Sequence, residues 1–181
     1  MKHLLFYFSF FIIPNCFSQT NSITVTSLGI DSLRIDMEIG KIEKILNRKL
    51  EVYALPDSII KGDAEFLFVN ECSASNPCKF YKLNYNGILM ILKFPFLDNL
   101  SAIYIFPNQK NIQVNSEITT GISESRFIQI CKENNFYHSK LKNKFAYFFS
   151  DNSNGIRTAN LLFATFANSS LNSINVLRMI K

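Results

Sequence analysis

Lys79-Phe80-Tyr81-Lys82-Leu83-Asn84-Tyr85-Asn86-Gly87-Ile88-Leu89-Met90-Ile91-Leu92-Lys93-Phe94 is the stretch that decides the fold class. Two strand-like runs, Lys79 to Tyr85 and Ile88 to Phe94, flank an Asn-Gly pair. A type I′ turn needs positive φ at both central residues, and Asn and Gly supply it, so the stretch reads as an antiparallel hairpin. Downstream lies Leu100-Ser101-Ala102-Ile103-Tyr104-Ile105. The same order recurs later: Asn154-Gly155-Ile156 is followed by Leu171-Asn172-Ser173-Ile174-Asn175-Val176. Such self-similarity is the signature of a unit that occurs twice.

Working outward, the echo extends to helices. Ile39, Ile42, Ile45 and Leu46 fall on one helical face, with Asp36 placed to cap it. Phe127, Ile130 and Cys131 repeat the spacing of Ile42, Ile45 and Leu46. Ser123 caps this second helix, and Ile122 before it can staple onto Phe127. Ile23–Thr26, Ala64–Asn70, Phe145–Ser150, Asn160–Ala167 and Ser173–Ile180 read as further strands, with a short one at Ile112–Val114 and a turn at Asp151–Gly155. Each half then reads as strand, helix and antiparallel strands. The expected class is α+β, with two similar β-α-β-β-β units whose strands can form one continuous sheet. The expected boundaries are 19–107 and 108–181.

The N-terminus predicts export. Lys2 and His3 precede an apolar run, Leu4 to Ile13, of secretory-signal length, and Pro14-Asn15 break it. A helix spanning a bilayer needs roughly 20 apolar residues, so this run is too short to anchor. Cleavage after Ser18 removes a leader of residues 1–18. Lipidation at Cys16 is the alternative, but Ile13-Pro14-Asn15 before it is a poor lipoprotein box. Losing Lys2 from 19 Lys+Arg leaves 18 basic against 14 acidic residues, a net charge of +4. The basic residues are dispersed. The densest group, Lys140-Leu141-Lys142-Asn143-Lys144, reads as a solvated linker, and no nucleic-acid partner is expected.

An exported chain meets an oxidising compartment, so Cys72 and Cys78, flanking Ser-Ala-Ser-Asn-Pro, are expected to form a disulfide. Cys131 is left as a buried free thiol. Only His138 remains after leader removal, in a setting that suggests an exposed helix end. The sequence therefore offers no zinc set and no serine triad. Asp151-Asn152-Ser153-Asn154-Gly155 has its glycine one position early for a calcium loop, and Leu162 stands where a bidentate Glu belongs. Glu65, Glu71 and Asp98 are the carboxylates a hydrolase would use. No catalytic, cofactor or metal residue is assigned. Tyr81, Tyr85, Tyr104 and Tyr147 are the candidate interface residues, with core packing as the competing reading for aromatic residues on strands.

The helix openings Ile35-Asp36-Met37-Glu38 and Thr120-Gly121-Ile122-Ser123-Glu124 are similar to the Gly-x-[Ser/Thr]-x-x-Glu-Val helix starts of small exported bacterial proteins with tandem helix-plus-sheet repeats. The chain resembles the β-lactamase inhibitory proteins and the outer-membrane assembly lipoproteins of the BamE/SmpA type. The first opening lacks the glycine and the hydroxyl cap. The resemblance implies a binding scaffold without catalysis and carries over no contact residue. The function expected is an exported, periplasmic or secreted protein-binding module of inhibitor or immunity type. An outer-membrane accessory lipoprotein and a carboxylate-dependent hydrolase are the alternatives.

Overall fold

The computed structural model describes residues 22–56, 72, 77–95, 98–140, 146–150 and 160–178. The leader with Cys16, the Ala64–Asn70 strand, Glu65, Glu71 and the Asp151–Gly155 turn lie outside the described residues. The described chain is mixed α+β: two helices and two sheets, with strands predominating.

The elements run β1 (Ile23–Thr26), β2 (Gly29–Ile30), β3 (Leu33–Arg34), α1 (Ile39–Leu46), β4 (Lys79–Tyr85), β5 (Ile88–Phe94) and β6 (Ala102–Ile105). There follow β7 (Ile112–Gln113), α2 (Glu124–Glu133), β8 (Tyr137–Lys140), β9 (Ala146–Ser150), β10 (Asn160–Ala167) and β11 (Ser170–Arg178). The large sheet has seven strands in the order β4-β5-β6-β11-β10-β9-β8, with every neighbouring pair antiparallel. The small sheet has the order β3-β2-β1-β7. In it β1 pairs antiparallel with β2 and parallel with β7.

The Asn-Gly hairpin forms as expected. Asn86 and Gly87 have φ of 51° and 80°, and Tyr85 faces Ile88 across the turn. β10 matches its expected span, while β11 begins three residues earlier than expected, at Ser170. The expected β1, β7 and β9 are also present. β2, β3 and β8 were not anticipated. β2 and β3 are two-residue strands joined at Asp31-Ser32. Gly29, at φ +149°, is required there, because a Cβ would lie 1.9 Å from the Leu33 carbonyl oxygen. β8 corrects the reading of His138 as a helix end: Asn135, at φ 56°, stops the helical path, and Tyr137–Lys140 pairs with β9.

Asp36 does not cap α1. The N-cap is Glu38, without a side-chain hydrogen bond. Asp36 instead adopts φ 70°, and its carboxylate pairs with Arg178 at the end of β11. α1 ends at Asn47 in the left-handed conformation, whose N–H returns to the helix. α2 behaves as expected: Ser123 Oγ accepts from Arg126 N–H at 3.2 Å.

Both helices and the small sheet cover one face of the large sheet. Ile23, Val25, Ile30 and Ile112 join Ile42, Leu92, Phe94, Ile103, Ile105, Phe127, Ile130, Ile174 and Val176 in one buried core. On the opposite face Ile91, Ala102 and Tyr104 form a second cluster with Tyr53, Leu55, Phe80, Phe106 and Leu177. Strands buried on both faces lose the alternation of apolar and polar residues, which is why β5 and β6 read as nearly continuous apolar runs.

The two helix openings are tied to the sheet by the same bonds. Asp36 N–H donates to Leu100 O (2.8 Å), Leu100 N–H to Met37 O (2.9 Å) and Ile39 N–H to Asp98 O (3.2 Å). Gly121 N–H donates to Leu171 O (2.8 Å), Leu171 N–H to Ile122 O (2.7 Å) and Glu124 N–H to Ser169 O (2.9 Å). The isolated bridges match too, Glu38 with Asn99 and Ser123 with Ser170. So do the left-handed residues: Asp36 with Gly121, and Asp98 (φ 54°) with Ser169 (φ 60°). After α1 the chain runs along the outer edge of β4, through the Val52–Tyr81 bridge and a Tyr53 N–H to Phe80 O bond of 2.7 Å. After α2, β8 runs along the outer edge of β9.

Candidate functional site

Strand alternation places the four candidate tyrosines. Tyr81 and Tyr85 share a face of β4 with Leu83, and that face points into the main core. Tyr81 is 5% exposed and meets Phe94 edge-on, with centroids 5.3 Å apart. Burial pushes its phenol above the ordinary value. Tyr85 is half-buried against the same core. This pair therefore lines the core side of β4, not an open face. Tyr104 is buried on the other face, 5.6 Å from Phe106. Tyr147 lies in β9, facing Ala164 of β10 and Lys140 of β8 in the ladder. The fold distributes these residues instead of gathering them.

The outward face of β4 and β6 holds an aromatic and cationic group that sequence reasoning missed. Lys82 Nζ lies 5.2 Å from the Tyr53 ring centroid and 5.8 Å from that of Phe106. Such a cation over ring faces contributes ~0.5–1 kcal/mol at exposed sites. Only the alternation of Phe80 and Lys82 opposite Tyr81 and Leu83 pointed to it, since Tyr53 arrives from a segment distant in sequence.

Cys72 and Cys78 are joined by a disulfide, with Cα atoms 5.3 Å apart. Cys131 is free and fully buried on α2, and desolvation pushes its thiol up to about 11. At neutral pH it is a protonated packing group, and the nucleophile is the thiolate. His138 sits half-buried in β8, opposite Phe149 in the ladder.

Asp98 is half-exposed and paired with Lys79 at 3.0 Å, a bond that raises the lysine's pKa. Its backbone carbonyl receives the Ile39 N–H, so the residue shapes the α1 opening. Glu43 is likewise structural. Lys49 Nζ donates to Oε2 at 2.7 Å and Leu50 N–H to Oε1 at 3.0 Å, closing the chain after α1. These bonds, the one from Lys49 foremost, hold its carboxyl below the ordinary range.

Among the described residues no group of three or more His, Cys, Asp or Glu could hold a metal ion. None of the described helices is long and apolar enough to cross a membrane.

The seam between β6 and β11 carries its own chemistry. Val176 faces Ile103 and Leu177 faces Ala102. The backbone ladder continues on one side, where Arg178 N–H donates to Ser101 O at 2.8 Å, but toward Ile105 side chains replace it. Asn175 Oδ1 accepts from Ile105 N–H at 2.8 Å, and Ser173 Oγ donates to Ile105 O at 2.8 Å. Asn172 Oδ1 accepts from Asn108 N–H at 2.9 Å. Asn175 and Ser173 are each 1% exposed, so these bonds lie in a low-dielectric setting where an unmade bond is costly. Comparisons with protein families, with curated proteins and with solved structures give no match.

Proposed function

We propose that the chain consists of two copies of one α+β unit and acts by binding a protein partner in the bacterial cell envelope, as an inhibitor or immunity-type module. The observation that carries the reading is the recurrence of the helix opening. Three hydrogen bonds, one bridge and two left-handed residues recur with a constant shift of 85 residues on the helix side (Asp36 to Gly121, Ile39 to Glu124). On the strand side the shift is 71 residues (Asp98 to Ser169, Leu100 to Leu171). Unrelated segments have no reason to share such a set. The seam fits the same relation: the shift that takes Ile103 to Ile174 also takes Ile105 to Val176, and β6 and β11 lie antiparallel side by side.

In this arrangement the two halves are related by a pseudo-two-fold axis between β6 and β11. β1 stands apart, a single strand between β2 of one half and β7 of the other. The insertion bearing the Cys72–Cys78 disulfide belongs to the first half alone. The helix openings are also the feature on which the resemblance to β-lactamase inhibitory proteins and BamE/SmpA-type lipoproteins rests, and both are binding scaffolds. The disulfide agrees with an oxidising compartment.

The test is site-specific photocrosslinking in the native envelope, followed by reciprocal purification of any crosslinked protein. A single, stoichiometric protein partner is the expected result. A crosslinker scanned over the exposed surface that captures no protein would overturn the reading. Labelling with a fatty-acid probe addresses Cys16 separately: incorporation lost in Cys16→Ala would favour the accessory lipoprotein.

A further inference from the structure

We infer that the cavity between the small sheet and β10 is an anchor pocket for one apolar side chain of a protein partner, an assignment that rests on the protein-binding reading. The cavity measures about 180 Å³. The buried Val25 and Leu162 and the half-buried Val114 and Phe136 give it an apolar lining. Thr26, Ser27 and Asn115 supply its polar lining groups.

Size selects the class of ligand. Pockets for drug-sized molecules and cofactors run to roughly 300–1,000 Å³, so this one is too small for them. An apolar cavity of about 150 Å³ is enough for benzene. The pocket therefore matches a single aromatic or branched aliphatic group. Binding energy at protein interfaces concentrates in such buried anchors set in pockets.

The polar lining groups select how that group is presented. Asn115 Oδ1 is committed, accepting from Glu117 N–H at 2.9 Å and Ile118 N–H at 2.8 Å. That turn fixes the orientation of the amide and leaves Nδ2 as a donor without a bond among the described residues. Ser27 is 7% exposed, and its hydroxyl likewise makes no hydrogen bond among the described residues. A donor and a donor-acceptor beside an apolar well suit a side chain that arrives with its own peptide groups. A bare hydrocarbon would leave both unused.

The test uses methyl-resolved NMR on the full folded chain, with benzene and N-acetylphenylalaninamide as probes. Both are expected to shift the Val25, Val114 and Leu162 methyls saturably. The amide should bind about tenfold more tightly, the worth of one or two net hydrogen bonds. Asn115→Ala should remove that gain and leave benzene unaffected, while Val114→Phe should fill the pocket and abolish both. The assignment is overturned if neither probe moves these methyls. It is also overturned if the amide binds no better than benzene, or if folded Val114→Phe binds as the parent does. Crosslinking separates the two readings. A partner captured equally by the parent and by Val114→Phe removes the pocket and keeps protein binding. Probe binding as expected with no partner captured keeps the pocket's chemistry and removes the protein-binding reading.

Discussion

Ile130→Ala and Ile45→Ala, made separately, test whether the two helices sit on the sheet as described. The residues occupy matching positions on α2 and α1, yet Ile130 is fully buried while Ile45 is 44% exposed. Each substitution removes three carbons beyond Cβ. At ~0.8 kcal/mol per buried carbon, the transfer loss at Ile130 is ~2.4 kcal/mol, and a residual cavity raises the total into the range of about 2–5 kcal/mol. At Ile45 a little over half of the residue is covered, so the transfer loss is at most ~1.3 kcal/mol. No closed cavity forms there, and the better helix propensity of alanine returns a few tenths of a kcal/mol. The expected costs are about 3 and about 1 kcal/mol. Urea denaturation followed by far-ultraviolet circular dichroism measures both, with an unchanged m-value confirming that the unfolded state is the same. In thermal melts the gap of about 2 kcal/mol corresponds to roughly 4–8 °C. Equal costs, or a larger cost at Ile45, would refute the described packing of α1 and α2.

Other outcomes follow from single features. Cys72→Ser with Cys78→Ser, or reduction, should cost about 2 kcal/mol by denaturant titration, because the disulfide closes a loop with a separation of only 6 residues. Gly29→Ala drives a Cβ into the Leu33 carbonyl and should lower the melting temperature far more than Gly87→Ala, where φ is positive but the space is open. The Cys131 thiol sits near 9 when unfolded and at about 11 when folded, so the unfolded chain loses its proton first. Stability should therefore fall as pH rises from 9 to 11, by up to about 1.4 kcal/mol per pH unit, and Cys131→Ala should remove that slope. The same thiol should resist iodoacetamide in the folded chain at pH 8 and react on unfolding.

Much of the fold is legible where local chemistry and tertiary position agree. Asn86-Gly87 specifies its turn whatever surrounds it, and Ser123 caps α2 because its hydroxyl reaches a backbone donor three residues on. Asp36 misleads for a tertiary reason: its carboxylate meets Arg178, over a hundred residues away, and the backbone takes a left-handed turn there instead of a cap. β2 and β3 escape because two-residue strands leave no periodicity, and β8 because pairing with β9, not its own pattern, makes it a strand. The tyrosines show the limit of reading a site from strands. Period-two alternation says that Tyr81 and Tyr85 share a face, but only the covering layer of helices and small sheet decides that this face is the core. The apolar cavity joins Val25, Val114, Phe136 and Leu162 from four parts of the chain, and nothing in their local sequence announces it.

The place of β1 between β2 and β7 fixes an order of events in time. One edge of β1 is satisfied almost at once, since β2 follows two residues later. The other edge waits for Ile112, 86 residues beyond Thr26. At ~5–20 residues per second of synthesis, that wait is roughly 4–17 s. Through this interval β1 presents an edge without its β7 partner, with Ile23 and Val25 beside it. Whatever handles the newborn chain must keep that edge from foreign strands until the second half arrives to claim it.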